Sequence, residues 1–386
     1  MPPGYLSEAE ILAECQLPIE GLYRTHGSQH IGTIASRMVG AYHGDDEIEL
    51  GARRSLAVLA VDGLGYRVAA AQLAPDVLAP LTTTFPSTTT TAFLSSLTGS
   101  SPSEHGVIGV QYLHPDGRRG YNCITGEITE PSGAGQIRPS PGPAPRTAFT
   151  VLRGLGVPTF SLPAELAGVS AAWRASALGG SQVLPGRPAA LGAVAAVDAV
   201  ARDLATALDR SPGGLVWAYV NLDDHLHACG PDRDIEQACR AIDALARRLS
   251  RDGVAVLLYA DHGCTASRPG AQAMAAWSEV SAASACRLPA GGAGRVRWLY
   301  PRAGEEQRLA GRLRSLLPGA VVTTPAELAR WGVVEEGSAG QARLGEIVAL
   351  ARGPDFPVPD AAVAYEHGSL TAEEMLVPMA IWQPAC

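Results

Sequence analysis

Three apolar segments of this sequence each end in an acidic residue. "SLAVLAVDGLG" leads to Asp62, "GLVWAYVNLDD" to Asp223, and "GVAVLLYADHG" to Asp261, which is followed at once by His262. If these segments are parallel strands, their carboxyl ends meet at one edge of the sheet. Proteins with open parallel sheets bind their ligands at that edge. Asp is also a frequent helix cap, so any one of these acids taken alone is equally well explained by capping.

Histidines at the same kind of position favour metal binding. His227 stands four residues after Asp223 in "DDHLH", and His367 lies in "YEHGSL", just after the strand-like "AAVAY". Asp and His together are ligands for Zn²⁺ or Mn²⁺, whereas Mg²⁺ and Ca²⁺ prefer oxygen alone. A lone His-Gly pair is usually a turn, but six residues here follow the same pattern.

Six Asp and His ligands exceed the need of one four-coordinate metal. They suit two metals a few Å apart, the arrangement used for in-line displacement at phosphorus, and one of the metals would then lack a ligand. The segment "TTTFPSTTTTAFLSSLTG", residues 82–99, lies between the first two acidic strand ends and contains eight Thr and three Ser. It reads as an edge strand, a low-complexity linker, or a loop in which one hydroxyl supplies that ligand and acts as a nucleophile.

The elements that would position these residues alternate between strands and helices. Helical patterns precede the second and third strands, at "ALGAVAAVDAVARDLATAL" and "DIEQACRAIDALARRLS", and later strands are expected at "RVRWLYP" and "LGEIVALARG". The alternation predicts an α/β fold with a mainly parallel central sheet flanked by helices on both faces. We expect a single domain over residues 1–386, with a Pro- and Gly-rich inserted segment at about 110–150 that acts as a small cap or lid.

Composition excludes several classes of protein. The net charge is −8 and no basic run is present, which argues against a nucleic-acid duplex as partner. All 30 basic residues are Arg, so no P-loop or Schiff-base lysine exists. No apolar stretch is long enough to span a membrane. The seven Cys lack a C-x-x-C pair, and the acidic residues near the amino terminus do not fit a signal peptide, so we expect a cytoplasmic protein with no membrane partner.

Six short motifs occur in an order typical of the alkaline phosphatase superfamily. They are "VDGLG", "FPSTTTTAFLSSLTG", "SEHGVIG", "DDHLHACG", "ADHG" and "EHGSLTAEEMLVPM". The sequence most resembles the nucleotide pyrophosphatase/phosphodiesterase branch of that superfamily, from about residue 55 to the end. The resemblance implies an alkaline phosphatase-like α/β fold and two Zn²⁺ ions, with Mn²⁺ as the alternative.

The resemblance also implies which residues bind each metal. One zinc is assigned to Asp223, His227 and His367. The other is assigned to Asp62, Asp261, His262 and the nucleophile.

The nucleophile of the family lies nine residues before the Thr of a Thr-Gly pair that closes the next helix. Here that pair is Thr98-Gly99, and the count gives Thr89. A helix that begins at about Thr89 or Thr90 would stabilise an alkoxide and later a phosphoryl group through its free N–H donors. The neighbouring threonines are then strand or cap residues.

Two departures from the family pattern concern the substrate. The branch often has an Asn shortly after its His-Gly, and that place falls near Val110, so the adjacent Gln111 is the expected substrate contact. His225 lies inside the D-x-x-x-H segment, where a small or neutral residue is usual; it is a candidate substrate contact, with a surface residue as the alternative.

The function implied is hydrolysis of phosphate esters or anhydrides in a small-molecule or nucleotide-like substrate. Thr89 attacks phosphorus, and a metal-activated water hydrolyses the phosphothreonine. A phosphodiesterase or nucleotide pyrophosphatase is the first expectation, and a phosphomonoesterase or a C–P hydrolase of a phosphonate is the second. A non-catalytic metal-binding protein is the alternative of another class. The absence of a C/S-x-P-x-R motif at the site argues against a sulfatase, and the short inserted segment disfavours a phosphomutase.

Overall fold

The computed structural model describes residues 4–51, 54–130, 146–186 and 192–385. Its centre is a seven-stranded sheet in the order β2-β16-β9-β1-β8-β6-β7. These strands are β1 (Leu56–Asp62), β2 (Val77–Thr82), β6 (Thr159–Leu162), β7 (Gln182–Val183), β8 (Leu215–Asn221), β9 (Ala255–Ala260) and β16 (Leu376–Trp382). The strands from β9 to β7 run parallel, and β16 is antiparallel to both β2 and β9.

Helices flank this sheet. The α-helices are α1 (Glu8–Cys15), α2 (Thr33–His43), α3 (Tyr66–Gln72), α4 (Thr89–Thr98), α5 (Pro102–His105), α6 (Ala148–Gly154), α7 (Ala171–Leu178), α8 (Ala193–Arg210), α9 (Asp223–Cys229), α10 (Arg233–Arg251), α11 (Ala271–Val280), α12 (Glu306–Leu316), α13 (Pro325–Arg330) and α14 (Ala372–Met375). Two 3₁₀ turns cover Ala164–Gly168 and Gln341–Arg343. The predicted α/β fold with a mainly parallel central sheet is confirmed.

The central strands are almost entirely apolar, and such strands can be covered on both faces of the sheet. Every residue of β1 and β9 is buried, as expected of parallel strands between helical layers. The long helix α10 has the expected stripe, with Ile235, Ile242 and Leu249 buried on one face. The core of the molecule therefore lies around β1, β8 and β9, whose carboxyl ends carry the acidic residues.

A second sheet has seven antiparallel strands, which alternate in sequence with groups of strands of the first sheet. Its order is β13-β14-β12-β11-β3-β4-β5. These strands are β3 (Gln111–Leu113), β4 (Gly120–Asn122), β5 (Glu127–Thr129), β11 (Gly291–Ala293), β12 (Val296–Leu299), β13 (Val321–Thr323) and β14 (Ile347–Leu350). β12 and β14 are the two later strands expected from the sequence.

The predicted inserted segment at 110–150 contributes three strands to this second sheet. β3 pairs with β11 through Gln111 and Gly292, and β4 and β5 follow as an antiparallel meander. The Pro- and Gly-rich centre of the predicted segment, residues 131–145, lies outside the described residues. A role as a cap or lid, and the interpretation of the chain as one domain, stay predictions.

No helix in the described parts of the chain combines the length and the apolar character needed to cross a membrane.

Candidate active site

The register of the central strands brings the three predicted acids together. β1 lies between β8 and β9, and Asp62 pairs with Asn221 while Val61 pairs with Ala260. Asp261 therefore follows β9 beside Asp62, and Asp223 begins α9 two residues after the end of β8. The Asp261 carboxylate accepts hydrogen bonds from the backbone N–H groups of Gly63 at 3.0 Å and His262 at 2.9 Å.

A two-stranded ladder brings His367 to the same place. β10 (Thr265–Ala266) follows His262 in the chain, and it pairs with β15 (Tyr365–Glu366), which directly precedes His367. As a result, the rings of His262 and His367 stack with their centroids 3.6 Å apart. His367 is more than 100 residues from His262 in sequence, yet this small ladder fixes their spacing.

Thr89 is the first residue of α4 and faces the carboxylate group. Its Oγ1 lies 3.4 Å from both carboxylate oxygens of Asp62 and 3.2 Å from Nε2 of His262. Thr88 takes the N-cap position in an extended conformation, without a side-chain cap to the helix. The hydroxyl of Thr89 therefore stands at a helix N-terminus, where free N–H groups and the helix dipole favour negative charge.

The three histidines are oriented to present Nε2 to the site. Nδ1 of His227 donates to the carbonyl of Tyr365 at 2.8 Å, and Nδ1 of His367 donates to the carbonyl of Ser87 at 2.7 Å. Nδ1 of His262 lies 3.2 Å from the carbonyl of Gly263. Because a carbonyl only accepts, Nδ1 carries the proton in each neutral ring, and Nε2 keeps a lone pair for a metal.

The carboxylates are crowded in a buried place. Asp62 and Asp261 are almost fully buried, and burial together with the charges of neighbouring carboxylates raises the pKa of Asp62 well above its ordinary value. Burial and the charge of Asp223 raise the pKa of Asp261 to about 7. Oδ1 of Asp223 and Oδ2 of Asp261 are buried and have no hydrogen-bond partner in the described structure. Unpaired buried carboxylate oxygens are costly, and cations would compensate them.

Asp223 interacts with the histidines. Its Oδ2 lies 3.0 Å from Nε2 of His227 and 3.7 Å from Nε2 of His367. Burial opposes the ionisation of Asp223, but the imidazoles of His367 and His227 outweigh it and hold its pKa below the ordinary value. Burial alone would lower the pKa of His227, whereas the Asp223 carboxylate raises it to about 10. Burial and the neighbouring His367 lower the pKa of His262.

These residues fall into adjoining groups that fit two cations. The ligand atoms of Asp62, Asp261 and His262 lie within 4.8 Å of one another, and Thr89 is next to them. Asp223 forms such a group with His262 and His367, and it also pairs with His227. Imidazole groups that turn Nε2 towards the site, together with carboxylate oxygens that have no hydrogen-bond partner, suit zinc or manganese.

The two predicted substrate contacts, His225 and Gln111, have other partners than the carboxylates and histidines of the site. The structure pairs Nε2 of His225 with Asp232 at 3.0 Å. Gln111 begins β3, whose neighbours are β4 and β11. Among the described contacts, none links either side chain to the carboxylates of the site.

Sequence reasoning missed two residues of the site. The hydroxyl of Tyr219 in β8 donates to Oδ2 of Asp62. Glu366 forms a group of possible ligands with His227 and His367. A signal existed for each: Tyr219 is a polar-tipped residue in an apolar strand, and Glu366 directly precedes a predicted ligand.

A family model described as "Type I phosphodiesterase / nucleotide pyrophosphatase" matches residues 67–150, which include α4 and Thr89. No curated protein matches the sequence. Among solved structures, the murine ectonucleotide pyrophosphatase/phosphodiesterase 5 is similar at 17% identity and a TM-score of 0.59, over 86% of this chain and 88% of its own. An inactive threonine-to-alanine variant of that murine protein in complex with AMP matches at 16% identity, with the same TM-score and coverage. Phosphonoacetate hydrolase from Sinorhizobium meliloti in complex with phosphonoformate matches at 17% identity and a TM-score of 0.59, over 85% of this chain and 90% of its own.

The resemblance to the alkaline phosphatase superfamily is confirmed. The matched segment agrees with the nucleotide pyrophosphatase/phosphodiesterase branch, and the solved structures share the fold. The family model describes enzymes, so the predicted class, a phosphodiesterase-like hydrolase of phosphoric esters, is confirmed at the level of the family.

Proposed function

We propose that this protein is a two-metal hydrolase of phosphodiesters or nucleotide pyrophosphates, with Thr89 as the nucleophile. One observation carries the proposal. Oγ1 of Thr89 lies at the start of α4 and within 3.4 Å of both Asp62 and His262, whose carboxylate and imidazole groups are of the kinds that bind a cation. A hydroxyl held beside such a group can be made nucleophilic at neutral pH.

The metal ligands that we propose are those predicted from the sequence. One ion is held by Asp223, His227 and His367. The other is held by Asp62, Asp261, His262 and Thr89. Two zinc ions, or manganese in their place, would supply Lewis acidity and neutralise the charge that develops on the phosphoryl oxygens.

The chain's own groups then account for a double displacement. The hydroxyl of Thr89 loses its proton to solvent and Oγ1 attacks phosphorus; a new O–P bond forms, and the bond to the leaving oxygen breaks as that oxygen takes up a proton from solvent. The N–H groups at the start of α4 bind the phosphoryl oxygens during this step. Water then attacks the phosphothreonine, which restores the hydroxyl of Thr89 and releases the phosphorylated product.

Two related structures support this reading of Thr89 and of the substrate class. A threonine-to-alanine variant of the murine relative is described as inactive and was obtained with AMP. Phosphonoacetate hydrolase, with an equal TM-score, was obtained with phosphonoformate, which favours a phosphonate C–P hydrolase as the second candidate. In either case we propose a small-molecule substrate, with Gln111 as a contact; His225, the other contact expected from the sequence, pairs with Asp232 and is not part of this proposal. The cytoplasmic location also stays a prediction.

The experiment that tests the proposal combines a substrate panel with chemical trapping. Zinc-loaded protein is assayed on an activated phosphodiester, a phosphomonoester and a phosphonate, and the reaction is quenched in acid for peptide mass spectrometry. We expect the diester to react fastest and a phosphoryl group to appear on Thr89. A fastest reaction with the phosphonate would favour the second candidate. Absence of turnover on all three substrates, with metal bound, would favour the non-catalytic metal-binding protein.

A further inference from the structure

A second cluster of possible metal ligands lies on another face of α9. His225 and Cys229 are four residues apart in this helix, and Asp232 follows in the link to α10. Residues two apart in a helix point roughly 200° away from each other, so His225 faces away from the direction of Asp223 and His227. The ligand atoms of His225, Cys229 and Asp232 all lie within 4.8 Å of one another.

The backbone that carries this cluster is fixed by hydrogen bonds. The N–H of Gly230 donates to the carbonyl of Leu226 at 2.8 Å, and the N–H of Asp232 donates to the carbonyl of Gly230 at 2.9 Å. A side chain at Gly230 would meet the ring of Tyr365 at 2.2 Å, so the link packs directly against β15. Asp232 therefore stands on a short, well-anchored connection that directly follows the helix carrying His225 and Cys229.

Asp232 holds its carboxylate in place while keeping one oxygen available. Its Oδ1 accepts from the backbone N–H groups of Asp234 at 3.0 Å and Ile235 at 3.2 Å, which caps α10. The same oxygen lies 3.0 Å from Nε2 of His225. No hydrogen bond to Oδ2 is found among the described residues, so this atom can bind a cation without uncapping the helix.

We propose that His225, Cys229 and Asp232 form a third metal site, which binds a zinc-like divalent ion. Imidazole nitrogen, thiolate sulfur and carboxylate oxygen together favour a borderline-soft ion such as Zn²⁺ over Mg²⁺ or Ca²⁺. The cluster shares no residue with the groups of the active site. It also gives His225 a role different from the substrate contact expected from the sequence.

The position of the cluster indicates what a bound ion would do. The ion would connect the end of α9 to the start of α10, and α9 carries Asp223 and His227 on its other face. Cys229 is exposed, which leaves the fourth position of a tetrahedral ion to water. We therefore infer a site that braces α9 and does not itself take part in hydrolysis.

The site is tested by protection of Cys229 from alkylation in the full chain with its active-site metals retained. Cys229 is the exposed thiol among the described cysteines, and Cys386 lies outside the described residues, so a Cys386→Ser background is used. The rate of iodoacetamide modification of Cys229 is followed by mass spectrometry with and without added Zn²⁺. At a zinc concentration about ten times the Kd, we expect alkylation to slow roughly tenfold.

Three variants identify the other ligands without altering the thiol. His225→Gln and Asp232→Asn should abolish the protection, and Asn at 232 keeps the helix cap. Asp234→Asn is the matched control: it removes the same charge two residues away and should keep the protection. An alkylation rate that zinc does not change, or equal protection in all three variants, would overturn the site. Because this readout does not involve turnover, its failure is distinct from failure of the proposed hydrolysis.

Discussion

Thr89 differs from its neighbours in what its hydroxyl contacts. Thr90 donates to the carbonyl of Gly109 at 3.2 Å, and Thr91 accepts from the N–H of Gly109 at 2.9 Å, so both tie α4 to the segment before β3. Thr89 instead faces Asp62 and His262. The threonine-rich segment thus consists mostly of structural hydroxyl groups around one that faces the proposed metal ligands.

Substitution of single threonines should separate these roles. Thr89→Ala should lower kcat roughly a thousandfold or more, because loss of a required nucleophile costs several kcal/mol in the barrier. Thr89→Ser keeps a hydroxyl and should retain measurable turnover. Thr88→Ala and Thr90→Ala, the controls, should cost about 1 kcal/mol in unfolding free energy and little in rate, because both are buried and neither hydroxyl faces Asp62 or His262. Steady-state kinetics and thermal unfolding are the measurements, and near wild-type turnover by Thr89→Ala would remove it as the nucleophile.

Tyr219 positions a ligand without contacting the reacting atoms. Its buried hydroxyl donates to Oδ2 of Asp62. Tyr219→Phe should lower metal affinity or kcat about 10- to 100-fold, the usual effect of losing a hydrogen bond that orients a ligand. Chelator competition and kinetics measure the two quantities.

The matched control for Tyr219 is Tyr259→Phe in the neighbouring strand β9. The hydroxyl of Tyr259 is also buried, but its partners are Ser96 and Trp217. This variant should lose stability and keep metal affinity. Equal metal affinity in Tyr219→Phe and Tyr259→Phe would contradict the positioning role of Tyr219.

At the scale of elements, the segment after β15 connects the site to the second sheet. The N–H of Arg295 donates to the carbonyl of His367 at 2.7 Å, and the N–H of Gly368 donates to Oγ of Ser87 at 3.0 Å. Gly368 has φ of +115°, and a Cβ there would lie 2.1 Å from the carbonyl oxygen of Ala293. The position of His367 therefore depends on a close approach that only glycine permits.

Gly368→Ala should displace His367 and weaken metal binding. We expect a loss of about 1–3 kcal/mol or more in unfolding free energy, together with a higher Kd for zinc. Gly311→Ala, in the exposed interior of α12 where a Cβ meets nothing within 4 Å, is the control and should stabilise by about 1 kcal/mol. Thermal unfolding and zinc titration check both variants, and unchanged zinc affinity in Gly368→Ala would show that His367 is positioned independently.

The parts of the fold that could be predicted are those with a strong local signal. β1, β8 and β9 are continuous apolar runs that end in acids, and such runs predict parallel strands whose carboxyl ends meet at one edge of a sheet. The second sheet could not be predicted as a whole, because strands such as β3 and β11 have three residues each and pair across more than 150 residues of sequence. Short strands carry almost no periodicity, and their pairing depends on the packing of the whole chain.

The same limit applies to the site. Thr89 could be located from the spacing of a motif and the start of a helix. The hydrogen bond from Tyr219 and the contact of Glu366 with two histidines depend on the register of β8 and on the β10–β15 ladder. The sequence marks Tyr219 and Glu366 as candidates by residue type and position, but neither strand pairing leaves a local pattern that would show which residues they contact.

At the scale of the whole molecule, the candidate active site brings several carboxyl groups together in a buried place, where their ionised forms are costly unless cations are bound. Asp62 and Asp261 are both buried, and both have a raised pKa. A carboxyl with a raised pKa stabilises the folded state below its ordinary pKa of about 4, and this contribution is lost as the pH rises through the folded value. For Asp261 that window extends from about 4 to about 7. Above it, the folded protein holds an ionised carboxylate that bound cations must offset.

This charge predicts that one ligand substitution has opposite effects with and without metal. In chelated protein at pH 8, Asp261→Asn should be more stable than the wild type by a few kcal/mol, since each pKa unit corresponds to about 1.4 kcal/mol. Asn keeps an oxygen that accepts from the N–H groups of Gly63 and His262. The advantage should shrink as the pH falls from about 7 towards 4, because the wild-type carboxyl then becomes neutral. In zinc-loaded protein the order of stability should reverse, with Asp261→Asn less stable than the wild type, because a charged ligand has been lost.

The control is Asp252→Asn, which removes the same charge at an exposed position and should have the stability of the wild type under all of these conditions. Chemical denaturation across this pH range measures these differences. A chelated Asp261→Asn protein that is less stable than the wild type at pH 8 would contradict the prediction. It would mean that burial and the charge of Asp223 do not destabilise the ionised carboxylate of Asp261 in the folded protein.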